Sequence, residues 1–486
     1  MCLLLKFHFF YCIIKDILTN NCCERDDVMK LAVLGGGGVR SPFLAKSIAL
    51  GAADTGITET VFMDINEQKL MIYGKIAKHI SEMINPDLEF SLTTDADIAL
   101  RDADFIITTI RAEGDEGRVF DERTALNLGV LGQETTGAGG FSMALRSIHT
   151  LLNYCERAKK LAKPNAPIFN FTNPSGLVTQ ALRTMGYSST YGVCDAPSGF
   201  FRQLRDMMGY SELTGECFGL NHLSWFYDFK SNGKAVTDEI LASKKLYKKT
   251  EMRLFSPDLV KISNNYLLNE YLYFYYYREK AVNSVLSSDK TRGETILEIN
   301  RHMLSVLENI DVDKDFEKAF HCFMSHYAMR ENSYFSIECG SEREEKFPVP
   351  TAAEYIKQPE NGSYAAVALE FIKAENTGKP VEMVLSVPNE GALDFLKPQD
   401  VCELSCTVDK DGVHPHKFKN IPAMQRNLIV SVKHYENLTV EAIMEHNRSK
   451  AVEALTVHPL ICSYSLAEKL VDAYSEHYKN YIGEWK

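Results

Sequence analysis

From Met29 onward, short apolar runs alternate with longer segments whose apolar residues recur at helical spacing. "KLAVLGGGGVRSPFLAKSIAL" passes from an apolar run through a glycine cluster into a helical pattern, which predicts a strand, a tight turn and a helix N-terminus. "TETVFMDIN" predicts a second strand ending at Asp64, and "DADFIITTI" a later, buried one. Between them "QKLMIYGKIAKHISEMI" has the period of a helix. "APIFNFTNP" and "STYGVCDAP" read as further strands, each closing in polar residues and a proline. This alternation predicts an α/β fold: a Rossmann-like, doubly wound, mostly parallel sheet whose strand ends face a ligand crevice.

Near Ser198 the pattern changes. Helical stretches such as "SGFFRQLRDMMG" and "NEYLYFYYYREKAVNSVL" mix with shorter strand-like pieces. Residues 29–197 are therefore read as a nucleotide-binding domain, and residues 198–486 as a second, mixed α+β domain for substrate, metal and oligomerisation. "KKLYKKT" reads as a solvated helix face, and "VEAIMEHNRSKAVEALTVHPL" as helices that pack on the first domain or on a partner subunit. Residues 1–28 differ from the remainder of the chain. They hold four of the twelve cysteines, and their apolar part, Leu3 to Ile14, is interrupted by Lys6 and His8. A bilayer span needs about 20 apolar residues, and no small-residue cleavage site follows. Glu24, Arg25 and Asp26 can be encoded by GAAAGGGAT, a purine-rich stretch like a ribosome-binding site, so translation is expected to begin at Met29; the alternative is a genuine disordered or peripheral extension.

Composition narrows the class. With 486 residues, 45% hydrophobic and 24% charged, the chain suits two globular domains. A formal net charge of -12 argues against a nucleic-acid partner. The cysteines form no repeated C-x-x-C framework, which predicts free thiols in a reducing cytoplasm.

Three stretches can carry chemistry. Gly35, Gly37 and Gly38 allow a tight turn and close approach to a pyrophosphate at a helix N-terminus. Arg40 occupies the place of the usual third glycine. Asp64 can accept hydrogen bonds from ribose hydroxyls, which favours NAD over its phosphorylated form, although its distance from Gly35 exceeds the usual spacing of about 20 residues. "CDAPSGF" and "GLNHLSWF" offer a thiolate at Cys194 and an imidazole at His222. Together these can hold a divalent metal with open positions, or they can be a buried thiol and a satisfied histidine. Tyrosines 271, 273, 275, 276 and 277 cover several helix faces, so most must pack; one could act as a base.

"GGGGVRSP", "RAEGDEGRVFDERTALNLGVLGQETTGAGG", "NFTNPSG", "CDAPSGF", "GLNHLSWF", "NEYLYFYYY" and "SVPNEGAL" succeed one another from Met29 to about Tyr474. In that order and spacing they resemble glycoside hydrolase family 4, whose members depend on NAD and a metal. The resemblance implies a lactate/malate dehydrogenase-like architecture and Mn(II), or another divalent metal, on Cys194 and His222, with sugar hydroxyls completing the coordination. It implies Tyr271 as base, with Tyr273 the alternative register. Asn173 of "NPSG" resembles a substrate-hydroxyl contact, and Arg292 of "TRGE" an arginine beside the base and metal. Arg111 would meet the sugar 6-phosphate, although the family commonly has "RVGG" where this chain has "RAEG". The implied reaction oxidises C3, removes the C2 proton, eliminates the C1 substituent, adds water and returns the hydride.

Asp195 corresponds to the leaving-group acid of 6-phospho-alpha-glucosidases, where several beta-specific members have asparagine. Other beta-specific members carry aspartate, and "NFTNPSGLVTQ" is closer to those. The expected activity is thus a 6-phospho-beta-glucosidase acting on a phosphorylated disaccharide or aryl glucoside 6-phosphate, cytoplasmic and homodimeric or homotetrameric, without a membrane partner. The alternatives are a 6-phospho-alpha-glucosidase, a 2-hydroxy-acid dehydrogenase, or a protein that only binds NAD or sugar phosphate. If translation starts at Met29, mass spectrometry of the native protein finds no earlier peptide; detecting one overturns that start.

Overall fold

The computed structural model describes residues 28–340, 346–359 and 364–486; residues 1–27, on which the expected start at Met29 bears, lie outside them. The first half contains six strands: β1 (Lys30–Leu34), β2 (Glu59–Met63), β3 (Glu89–Thr93), β4 (Phe105–Thr108), β5 (Ile168–Asn170) and β6 (Thr190–Gly192). They lie parallel in the order β3-β2-β1-β4-β5-β6, the doubly wound arrangement expected from the alternating pattern. All five residues of β1 are buried, as a central parallel strand covered on both faces requires. β3 was not anticipated: it is an edge strand in which only Phe90 is fully buried, so it shows no apolar run.

The second half contributes β7 (Thr214–Leu220), β8 (Leu223–Ser231), β9 (Lys234–Ala235), β10 (Leu267–Leu268), β11 (Val381–Pro388), β12 (Val401–Asp409) and β13 (Gly412–Pro415). These pair antiparallel and continue the same sheet outward from β6 in the order β11-β12-β7-β8-β10. The joint is one pair, Ser386 of β11 against Gly192 of β6. A β-carbon on Gly192 would stand 2.6 Å from that of Ser386, so this close approach requires glycine. The change of pattern at Ser198 falls inside the helix Asp195–Met208, which leads from β6 toward β7.

Two predicted helices are subdivided. "QKLMIYGKIAKHISEMI" contains a π-helical turn, Leu70–Gly74, before the helix Lys75–Ile84. "NEYLYFYYYREKAVNSVL" forms two helices, Leu272–Tyr276 and Arg278–Leu286. The eight cysteines among the described residues are all free thiols. No helix among those residues is long and apolar enough to cross a membrane.

The C-terminal helices Ala423–Glu445, Arg448–Val457 and Tyr464–His477 pack back on the first half. Asp121 anchors this contact. Its Oδ2 accepts from Arg146 Nη2 at 2.7 Å, its Oδ1 from Ser142 at 2.6 Å and from Tyr478 at 2.7 Å, and its carbonyl from Tyr474 at 3.0 Å. Both charged side chains of the pair are 1% exposed. Asp121→Ala leaves Arg146 as an unpaired buried cation, and the expected loss is about 3–5 kcal/mol of unfolding free energy by denaturant titration. A loss below about 1 kcal/mol, the range of an exposed pair, would contradict this anchoring role.

Candidate active site

The glycine turn after β1 and Asp64 after β2 lie side by side. Asp64 Oδ2 accepts from Gly37 N–H at 3.0 Å and Oδ1 from Asn66 N–H at 2.9 Å. A β-carbon on Gly37 would lie 2.9 Å from that carboxylate. The glycines lead into the helix Ser41–Thr55, with Arg40 at its N-cap and a proline in its first turn.

Further along the strand ends, Cys194, His222 and Tyr271 come together. Cys194 caps the helix Asp195–Met208. His222 stands in the two-residue turn between β7 and β8 at φ +63°, a left-handed conformation uncommon for a non-glycine residue. Cys194 Sγ lies 3.6 Å from His222 Nε2. The Tyr271 ring stacks on the imidazole, with centroids 3.7 Å apart and planes 5° from parallel.

Hydrogen bonds set the imidazole tautomer. Thr135 Oγ1 donates to Gln133 Oε1 at 3.0 Å and lies 3.0 Å from His222 Nδ1. With its proton committed to Gln133, Thr135 accepts from Nδ1–H, and the Nε2 lone pair faces the thiol. Sulfur and nitrogen donors about 2.3 and 2.1 Å from one ion at a tetrahedral angle lie about 3.6 Å apart, so the pair fits a divalent metal. Among the described residues no three His, Cys, Asp or Glu side chains group so that they could hold a metal.

The protein by itself favours neutral groups here. Burial holds His222 at a pKa of about 3, opposed by Glu134. Burial pushes the Cys194 thiol up, helped by the Glu403 and Asp195 carboxylates and opposed by the Ala196 N–H. Burial and Glu270 push Tyr271 up, while Tyr334 acts the other way: its hydroxyl lies 3.1 Å from Tyr271 Oη as donor and 3.3 Å from Glu270.

The other predicted residues lie farther out. Asp195 is beside Cys194 in sequence, but its carboxylate faces Arg40 Nη1 at 3.6 Å. Arg292 reaches the tyrosine through Tyr334, with its guanidinium 5.8 Å from that ring's centre and bonded to Ser333 Oγ and the Arg330 carbonyl. Arg111 pairs with Glu134 at 2.6 Å, which also takes Arg118 at 3.2 Å. Asn173 follows β5, is cis to Pro174, and accepts from Ser175 N–H at 3.4 Å.

Four participants were not foreseen as such: Thr135, Tyr334, Arg40 as partner of Asp195, and Glu403. Glu403 is 2% exposed on β12 and accepts from Asn221 Nδ2 at 3.0 Å and Ser224 Oγ at 2.7 Å. Burial raises its pKa to about 7 against those two donors. Its signal was a lone carboxylate inside the apolar run "VCELSCTV".

A parallel nucleotide-type half joined to an antiparallel half, with thiol, imidazole and phenol at the joint, defines a Rossmann-type protein with a two-donor site. The chain belongs to the family 4 glycosyl hydrolases: the family model matches residues 30–210 and the model of its C-terminal domain residues 217–461. It is 27% identical over 458 residues to the 6-phospho-beta-glucosidase BglT of Thermotoga maritima, covering 93% of this chain and 99% of that one. It is 26% identical over 476 residues to the phospho-alpha-glucosidase PagL of Clostridium acetobutylicum, covering 93% and 98%. The Thermotoga maritima enzyme solved with NAD and glucose-6-phosphate superposes with a TM-score of 0.77 at 26% identity over 94% of this chain and all of that one. A 6-phospho-alpha-glucosidase from gut microorganisms, solved with NAD and Mn2+, gives 0.76 at 25% identity over 94% and 100%.

Behind the His222 turn, a cavity of about 20 Å³ is lined by residues including Thr135, Asn221, Tyr435 and His458. Burial also holds His458 at a pKa of about 3. Between pH 6.5 and 3 the unfolded chain binds protons that buried neutral histidines refuse, so stability falls as pH falls, by about 1.4 kcal/mol per pH unit for each. His458→Gln should lessen that slope by about this amount in denaturation series between pH 6.5 and 4.5; equal slopes would show that His458 titrates normally.

Proposed function

We propose that the chain is an NAD- and divalent-metal-dependent 6-phospho-beta-glucosidase. The observation that carries this reading is the 3.6 Å contact of Cys194 Sγ with His222 Nε2, with the Tyr271 ring stacked on the same imidazole at a centroid distance of 3.7 Å, in a chain of this family. Residues 29–197 hold the nucleotide, with Gly35, Gly37 and Gly38 at the pyrophosphate and Asp64 toward the ribose. Residues 198–486 supply the base and the contacts of a cytoplasmic homo-oligomer.

Cys194 and His222 hold the metal, usually Mn(II) in this family. Once bound, NAD would supply a recyclable hydride acceptor for sugar C3, and the metal a Lewis acid for the oxygen there. Tyr271 takes the C2 proton, made acidic by the neighbouring ketone. Its phenolate is unfavourable in the protein alone, and Tyr334 donates to the oxygen that becomes negative. Asp195, oriented by Arg40 and with its carboxyl pushed up by burial against the pull of that arginine, gives in its protonated form a proton to the leaving oxygen at C1. Asn173 contacts a sugar hydroxyl, and Arg292 supports the base through Tyr334. Arg111, with 32% of its side chain exposed, meets the 6-phosphate of a disaccharide or aryl glucoside.

The alpha-linked substrate is the second reading, supported by an aspartate at position 195 and by relatives of both specificities at 27% and 26% identity. The test is product release from alpha and beta p-nitrophenyl glucoside 6-phosphates, with NAD and Mn(II) each supplied or withheld, while NADH absorbance is followed. Cleavage of the beta anomer requiring both, without NADH build-up, is expected, and Cys194→Ser abolishes metal-dependent turnover. Stoichiometric NADH without cleavage would move the chain to the dehydrogenases.

A further inference from the structure

Glu403 lies in a single row that crosses the joint between the two halves. Gly192 of β6 pairs with Ser386 of β11, Ser386 with Glu403 of β12, Glu403 with Gly219 of β7, and Gly219 with Ser224 of β8. In-register partners point to one face, and glycines occupy two of these five places. The buried carboxylate therefore stands among small neighbours.

Its two oxygens serve different elements. Oε1 accepts from Asn221, the residue before His222, in the β7–β8 turn. Oε2 accepts from Ser224, whose Oγ also accepts from Asn269 Nδ2 at 3.2 Å. Asn269 Oδ1 in turn accepts from the Tyr271 backbone N–H at 3.0 Å, and its own N–H donates to the Ser224 carbonyl at 3.0 Å. The imidazole and the phenol are thereby referenced to one side chain through short polar links.

We propose that Glu403 is a positioning residue that sets the mutual placement of His222 and Tyr271: one carboxylate oxygen fixes the turn that carries the metal-binding imidazole, and the other, through Ser224 and Asn269, fixes the turn that carries the base. The inference rests on the metal and base roles proposed above. The carboxylate accepts at both ends. Glutamine keeps the shape but replaces one acceptor by a donor, so the bond from Ser224 is reversed or lost and neither link is charge-assisted any longer.

The test is Glu403→Gln, compared with wild type in calorimetric titration of Mn(II) into sugar-free protein, in the thiolate-to-cobalt absorption with Co(II), and in kcat and KM at saturating Mn(II). Expected is a loss of metal affinity of about tenfold or more, with kcat reduced more than KM is raised. Wild-type affinity and kcat in folded Glu403→Gln, with only a lower melting temperature, would reduce Glu403 to a strut and overturn the proposal. If that variant does not fold, Ser224→Ala cuts only the Tyr271 branch: reduced kcat with retained Mn(II) affinity supports the proposal, and wild-type kcat overturns it. Wild-type protein without thiolate absorption on Co(II) addition would instead remove the metal reading itself, and this inference with it.

Discussion

One close approach holds the molecule together as a working unit. At Gly192 and Ser386 the parallel sheet of the first half meets the antiparallel sheet of the second. Cys194 stands two residues beyond that pair, and His222 and Tyr271 arrive from the other side on the β7–β8 turn and the turn after β10. The site exists only where the halves touch. The contact that makes the sheet continuous also sets the distance between thiol and imidazole, and the C-terminal helices brace it by returning to Asp121 on the first half.

The electrostatics at this joint run in one direction. Burial disfavours the imidazolium, the thiolate and the phenolate alike. Carboxylates at 134, 195, 270 and 403 surround these groups; Glu134 is matched outward by arginines at 111 and 118, and Asp195 by Arg40. A cation placed between Sγ and Nε2 would act against the desolvation of the two anions while leaving the neutral imidazole unchanged.

The parallel half was legible because its strands are buried on both faces and read as apolar runs, and because Asp64 closes β2 as a strand-end carboxylate should. β3 escaped because an edge strand with one buried apolar side chain has no such run. The residue types of the site were visible as Cys194, His222 and an aromatic cluster, but not their convergence, since three separate turns bring them together. Tyr271 could be singled out only through the family resemblance. Stacking on His222 distinguishes it from the four tyrosines after it, a relation that helical periodicity does not encode. Thr135 and Glu403 act through other side chains, and the partners of such residues are a property of tertiary contact. Arg40 appeared in the sequence only as a defect in a glycine pattern; in three dimensions it is the counter-ion of Asp195.

The two-donor arrangement has a further consequence for how the protein behaves as a material. A thiol on one half and an imidazole on the other make any ligand that grips both a brace across the sheet joint. Its binding free energy then adds to the cohesion of the two halves, because only the assembled state offers both donors. A ligand held by both donors therefore stabilises the seam, and its release removes that contribution alone.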